Sequence, residues 1–311
     1  MPGIMAKVAR VLRDSNRRTR IIGAINKSPL RHISRLLANA SHRTLIAKRR
    51  ALLPQVQATA AEAEVISTLR MKGHANISHL IDQQLVGGMA HEVSNEAAGV
   101  NESDESRAAR VKSFWVPILD ENSFKKGKIT EKSSVVATAL QTPVLRIAAA
   151  YLGDLPYLSY VLVSLSKYSS APLKVSQLWH LDRDDSNVLK MFVYLTDVKD
   201  LQDGPFSFLD HDSSRRVPTP FFMEHRHDDV IFRHVDRSRV VSVTGPRLTC
   251  FLVDSARCYH MGSRVAEGHE RLMFTATFTP WPPIHPGASN RIRLTDTASV
   301  LERAVLAPTT L

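Results

Sequence analysis

The sequence predicts an α+β protein: a double-stranded β-helix (jelly-roll) core with a helical N-terminal half packed on it. Three observations carry this expectation. The first half of the chain places apolar residues at helical spacing between capping signals. From about Leu158 the texture changes to short runs rich in Val, Phe, Tyr and Thr, separated by turn residues. And a chain of 311 residues, 43% hydrophobic and 23% charged, is long and apolar enough to bury a sizeable core. That composition excludes collagen-like, low-complexity and wholly disordered chains.

Taken in order, Ser28-Pro29 reads as an N-cap followed by proline at the first helical position. Leu30, Ile33, Leu37 and Ala40 then recur at helical spacing, and Pro54 ends the helix. Arg35, His42 and Arg49 lie seven apart, on roughly one face. Thr59-Ala-Ala-Glu62 is a capping box opening a helix with Val65, Ile66 and Leu69, and Gly73 stops it. Ile81, Leu85 and Met89 mark another helix, residues 94–110 read as a polar loop, and the Ala-rich stretch Ser133–Tyr151 reads as helix. Strands are expected at Leu158–Leu165, Leu189–Leu195, Phe206–Leu209, Val240–Val243, Leu248–Val253 and Leu272–Phe278, punctuated by Gly204-Pro205 and Gly245-Pro246. The expected organisation is a basic helical arm (1–55), a helical region (56–157), the β-helix core (158–286) and a tail (287–311).

The net charge of +11 is unevenly placed. Residues 1–50 hold thirteen Lys and Arg against one acid, Asp14, so the rest of the chain is close to neutral. Three readings of this arm stand together: a solvated helix lying on its own protein, a contact with an anionic surface (membrane, acidic carrier protein or nucleic acid), or an organelle-targeting segment. No stretch of about 20 uncharged apolar residues predicts a transmembrane segment. The two cysteines, Cys250 and Cys258, give no disulfide framework and no Cys-rich zinc site, which suits a reducing, cytoplasmic setting.

The chemistry centres on Trp179-His-Leu-Asp182. Strand side chains alternate, so a His-x-Asp pair puts an imidazole and a carboxylate on one face. Those are two thirds of a 2-His-1-carboxylate facial triad for a ferrous ion. His260, 80 residues beyond His180 and after the strand Leu248–Val253, is the expected third ligand. A second requirement is a cation for the distal carboxylate of 2-oxoglutarate. Arginine meets a carboxylate with two parallel hydrogen bonds, and Arg271 starts the strand Leu272–Phe278 eleven residues after His260. That strand is expected to return beside the one ending at His260. His234-Val-Asp236 repeats the His-x-Asp pattern, but only 26 residues separate His234 from His260, too few for the intervening strands.

These residues resemble the phytanoyl-CoA dioxygenase-like iron(II)/2-oxoglutarate oxygenases. The resemblance lies in Leu178-Trp-His-Leu-Asp182, in Phe192-Val-Tyr-Leu-Thr-Asp-Val198 followed by Gly204-Pro-Phe206, and in Asp254–Arg264 with Arg271. A weaker echo lies in Leu69–Gly73 and Tyr151–Gly153, and the whole covers roughly residues 60–285. It implies His180, Asp182 and His260 as catalytic metal ligands for Fe(II), and Arg271 as the 2-oxoglutarate anchor. Ser263 and Lys167 are implied as further cosubstrate-binding residues. The reaction implied is hydroxylation of a small or carrier-linked organic substrate by O2, with oxidative decarboxylation of 2-oxoglutarate to succinate. A carboxylate at Asp182, where related halogenases carry a small residue, favours hydroxylation. The family's "GSH" position here reads Asp210-His-Asp212.

Other readings remain beside these. Arg264 is the rival clamp, and Cys258 and Trp179 read as packing residues. Glu224–Asp229, with its His-x-His, reads as a solvated loop or a zinc site. The arginines around it hint at an anionic substrate. The alternative functions are a non-catalytic jelly-roll binding or adaptor protein using its basic arm on an anionic partner, and a cupin-like metal enzyme that needs no 2-oxoglutarate.

Overall fold

The computed structural model describes residue 25 and residues 28–100, 103–108, 110, 112–119, 129–222, 224–284 and 292–311. Lys7, Arg10, Arg13, Arg17, Arg18, Arg20 and Lys27 of the basic arm lie outside the described residues, as does Asp14.

The arm helix is broken in two. Helix α1 (Arg31–Ser41) and α2 (Arg43–Arg50) meet at His42, and Pro54 falls in a 3-10 turn, Leu53–Val56. Helix α3 (Ala60–Lys72) opens on the Thr59/Glu62 capping box and ends on Gly73 at φ +78. Gly73 is required twice over, because a Cβ there would meet Cys258 Sγ at 2.2 Å. Strand β1 (His74–Asn76) follows at once, then α4 (Gln83–Ala98), capped by the Asp82 carboxylate accepting from Gln84 and Leu85. The polar stretch after it is not all loop: α4 continues to Ala98, and Asp104–Ala108 is a short helix, α5. Strand β2 (Trp115–Leu119) was hidden from sequence by Pro117, which a sheet tolerates on an edge. The Ala-rich stretch forms α6 (Ser134–Ala139) and α7 (Thr142–Leu152), with Pro143 restarting the helix.

The core strands follow: β3 (Tyr157–Lys167), β4 (Leu189–Tyr194) and β5 (Ser207–Leu209), then helices α8 (His211–Arg216) and α9 (Asp228–Ile231). After them come β6 (Val240–Ser242), β7 (Cys250–Asp254), β8 (His260–Met261), β9 (Glu270–Thr279) and a last helix, α10 (Val300–Leu306). All six predicted strands are present with ends shifted by a few residues, and the named strands pair antiparallel. Six strands make a large sheet in the order β1-β7-β4-β9-β3-β2, and three make a small one in the order β6-β5-β8. The fold is thus α+β with a jelly-roll core.

Alternation on each strand of the large sheet serves two layers. Val163, Met191, Leu252, Phe274 and Ala276 share one apolar cluster with Leu69, Met89, Val136, Ile147 and Val305 of the helices. The opposite faces present Phe192, Tyr194, Phe251 and Met273 to Phe206 and Phe208 at the small sheet. Burying each such side chain stabilises by about 1.5–3 kcal/mol relative to exposure. Helices therefore cover one face of the large sheet, and the small sheet covers the other.

The arm docks on this body through arginines. Arg35 reaches the buried Asp185 and donates to Pro282 O at 2.7 Å; Arg49 donates to Ala304 O and Leu155 O, both at 3.0 Å. His42 lies edge-on to Trp281. The face defined by Arg35, His42 and Arg49 is thus a docking face rather than an outward basic surface. Among the described residues, no helix is long and apolar enough to cross a membrane.

Candidate functional site

The His-x-Asp segment lies between the sheets, outside the regular strands. His180 forms a two-bond bridge with His260 of β8, N to O at 3.0 Å each way, and Asp182 N donates to Ser255 O at 2.8 Å. These anchors aim three donor atoms at one point. His180, Asp182 and His260 form the one group of three or more potential metal-binding side chains among the described residues, with ligand atoms within 4.8 Å of one another. His260 Nε2 stands 3.5 Å and His180 Nε2 3.9 Å from the Asp182 carboxylate.

Their protonation suits a cation. Each imidazole has Nδ1 2.9 Å from a backbone carbonyl, Leu178 O for His180 and Cys258 O for His260. A carbonyl only accepts, so Nδ1 carries the proton and Nε2 keeps its lone pair toward the cluster. Burial, together with the neighbouring imidazole, pushes His180 down to about 3. Burial lowers His260 as well, against the pull of Asp182. Burial works against an ionised Asp182, but Lys190 and the two histidines outweigh it and hold the carboxyl below its usual range.

Lys190 is a member of the site that the sequence reading missed. On β4 it sits among apolar residues and shares a face with Phe192; its Nζ lies 2.7 Å from Asp182 Oδ2. Burial disfavours its charge, yet Asp182 more than compensates and holds the ammonium above its ordinary value. The signal was a lone cation inside the predicted strand Leu189–Leu195.

A cavity of about 730 Å³ opens beside the cluster, lined among others by Tyr160, Lys190, Phe192, Phe206 and Met273. Arg271 and Ser263 also line it. Arg271 is fully buried, with no carboxylate partner among the described residues. It donates through Nη1 to Gly204 O and through Nη2 to Ser263 Oγ at 2.9 Å, while its Nε has no acceptor. Burial depresses its pKa, with Tyr194 opposing. Ser263 adopts φ +61 and also receives Trp115 Nε1 at 2.7 Å and Ser166 Oγ at 2.9 Å. Gly204 turns its carbonyl to Arg271 at φ +63, where a Cβ would strike the Val265 backbone at 2.9 Å.

Two expectations about geometry need correction. The strand carrying Arg271 does not return beside the one carrying His260. β9 pairs with β3 and β4 in the large sheet, whereas β8 belongs to the small one, and residues 262–269 cross between them. Arg271 reaches the cavity from the opposite wall. Lys167 does not line the cavity: it sits at the end of β3, 3.8 Å from Glu270. Arg264 is likewise engaged elsewhere, donating through Nη1 and Nη2 to Asp228 at 2.9 and 2.7 Å.

The Glu224–Asp229 segment lies over the site, with Glu224, His227 and Asp229 exposed to solvent and His225, Arg226 and Asp228 turned partly inward. Arg226 bridges Trp179, Asp228 accepts from the buried Trp179 Nε1 at 2.9 Å, and the His225 ring lies 5.2 Å from that of His180. His234 is exposed, and Asp236 accepts from Ser238 N as a helix cap. Cys258 is buried, its thiol pushed up by burial.

No family model matches the chain, and no curated protein sequence matches it. Among solved structures it is similar to the non-heme alpha ketoglutarate dependent epimerase SnoN from nogalamycin biosynthesis, with a TM-score of 0.48 and 17% identity over 71% of this chain and 83% of that one. It is similar to AviO1 from Streptomyces viridochromogenes Tue57, with a TM-score of 0.48 and 15% identity over 73% and 98%. It is also similar to EctD from S. alaskensis with bound Fe, with a TM-score of 0.49 and 14% identity over 76% and 88%.

Proposed function

We propose that the chain is an Fe(II)- and 2-oxoglutarate-dependent oxygenase of the phytanoyl-CoA dioxygenase-like kind, which hydroxylates a small or carrier-linked organic molecule. The observation that carries this reading is the pairing of two features on one cavity: a buried His-Asp-His cluster, and a buried guanidinium with no acid of its own. Two neutral imidazoles and one carboxylate fit a ferrous ion and leave part of its coordination sphere open. An unpaired buried cation is an unfavourable arrangement unless an anion arrives, and a dicarboxylic keto acid supplies one.

A bound ferrous ion with 2-oxoglutarate would supply the oxidising chemistry, with O2 giving one oxygen atom to the succinate formed as carbon dioxide leaves and the other to the substrate. This chain's residues do the rest. His180, Asp182 and His260 hold the metal through Nε2, a carboxylate oxygen and Nε2. Arg271 takes the distal carboxylate, and Ser263, held by Trp115 and Ser166, fixes the Arg271 fork. Phe206 stacks on the His260 ring at 5.3 Å and helps exclude water from that side. The remaining cavity, walled by Tyr160, Phe192 and Met273, takes the substrate.

The test is anaerobic addition of Fe(II) and 2-oxoglutarate. A visible metal-to-ligand charge-transfer band is expected, and it disappears in His180→Ala and Asp182→Ala. Arg271→Ala keeps the metal but weakens 2-oxoglutarate by about 2–5 kcal/mol. Wild-type protein that folds and shows neither the band nor succinate formation returns the chain to the binding-protein reading.

A further inference from the structure

The segment that carries the metal donors has a second face. His180 and Asp182 point into the large cavity; Leu181 and Arg183, alternating with them, line a separate cavity of about 230 Å³ on the other side. Its walls include four arginines, Arg31, Arg183, Arg215 and Arg257, together with His211. Acids are present, but each is committed. Asp212 pairs with Arg215 in an exposed contact, and Asp254 pairs with Arg257 at 2.5 Å and lies 3.3 Å from His211 Nε2. Asp185 is held by Arg35.

Arg31 and Arg183 are therefore left over. They are 8% and 7% exposed, come from distant parts of the chain, and have no carboxylate partner among the described residues. The Nε–H of each is buried without an acceptor. Arg31 donates through Nη1 only to a backbone carbonyl, Ser28 O at 3.3 Å, and burial and Arg183 push it down to about 10, with Asp185 opposing. Two buried guanidiniums that share one cavity, each with an unaccepted Nε–H and no ion-pair partner among the described residues, are an unfavourable arrangement unless an anion joins them.

We propose that this second cavity binds a small multivalent oxyanion, a phosphate ion or the phosphoryl group of a larger molecule, on Arg31 and Arg183 with Arg257 at its rim. The volume admits one such group and some water, but no whole nucleotide. Planar guanidinium forks from α1, from the His-x-Asp segment and from the turn after β7 would share the oxyanion's oxygens. Neither the metal donors nor Arg271 takes part, so the proposal is independent of the oxygenase reading.

The experiment uses full-length protein without added metal. Thermal unfolding and isothermal calorimetry are run against inorganic phosphate, with chloride at matched ionic strength as the control. Phosphate is expected to bind saturably and raise the unfolding temperature, and Arg183→Gln is expected to weaken it by about tenfold or more, the loss of one charge-assisted contact. Thr219→Glu, an exposed lining position, places a carboxylate at the cavity. It is expected to abolish the phosphate response and raise the unfolding temperature in chloride, and it decides the matter if Arg183→Gln does not fold. Ethyl phosphate distinguishes the sources: binding as tight as phosphate assigns the cavity to a phosphorylated molecule, and binding of phosphate alone assigns it to the free ion. Stabilisation no greater than chloride gives, or wild-type phosphate affinity in both variants, overturns the proposal.

Discussion

Replacing Arg35 with methionine tests what holds the His-x-Asp segment in place. Asp185, three residues beyond Asp182, is 0% exposed. Its carboxylate is held by Arg35 Nε at 3.2 Å and by Arg35 Nη2, with backbone support from Ser186 N at 2.6 Å and Ile284 N at 3.3 Å. Arg35 also donates to Pro282 O. Arg35→Met keeps most of the side-chain volume but leaves a buried carboxylate that has lost its ion-pair partner and keeps only the Ser186 and Ile284 backbone donors and the Ser186 hydroxyl. Breaking such a pair from one side costs about 3–5 kcal/mol. That is a large share of a total stability of about 5–15 kcal/mol. The penalty also depends on pH. Burial already raises Asp185 above its ordinary 3.8, with Arg35 opposing. Without Arg35 the folded-state value rises further, so the folded protein binds a proton that the unfolded chain has released. Stability then falls as pH climbs above 3.8, and the gap to wild type widens from acid toward neutral pH. Guanidinium denaturation of wild type, Arg35→Met, Asp185→Asn and the double variant at pH 5 and 7 reads both effects. A loss below about 1 kcal/mol at pH 7, the scale of an exposed pair, would refute the reasoning.

Lys190→Met leaves Asp182, a mostly buried carboxylate, without its ammonium partner, so the metal-free protein should lose about 2–4 kcal/mol, toward the lower end of the cost of breaking a buried pair. A cation at the cluster then restores more than it does in wild type, and the unfolding-temperature rise on adding Mn(II) should be larger in the variant; an equal or smaller rise argues against the pairing. His180 is buried neutral, so below its ordinary 6.5 the unfolded chain takes up a proton that the folded one refuses until about 3. Stability should fall with pH across that window by about 1.4 kcal/mol per unit for this group, and His180→Gln should flatten the slope measured between pH 6 and 4. Gly73→Ala meets both the left-handed backbone and the Cys258 sulfur, and should cost about 2 kcal/mol or more in chemical denaturation.

The parts of this fold that were legible in sequence are those whose signal is local. The Thr59 capping box, the Gly73 stop and the apolar strand runs each sit within a dozen residues, and each is found where expected. His180, Asp182 and His260 were legible because alternation and strand count constrain where three such donors can meet. Pairing between distant elements was not legible. Nothing near Arg271 says that its strand joins the large sheet while His260 goes to the small one, because that depends on which edges are free. Lys167 and Lys190 illustrate the same limit. Both are strand lysines, yet one ends its strand near Glu270 and the other meets a carboxylate eight residues back along the chain. The arm was legible only in part: a helix lying on its own protein was one of three readings, and only packing shows that Arg31, Arg35 and Arg49 turn inward.

The crossing of residues 262–269 between layers has a further meaning. One sheet carries Arg271 and the other carries His260, so neither layer alone assembles the proposed site. Prising the two apart, by heat, by denaturant or by a wedge of bulk at the aromatic seam, would separate Arg271 and Lys190 from His260. Whatever holds the seam between the two sheets therefore holds the candidate site together.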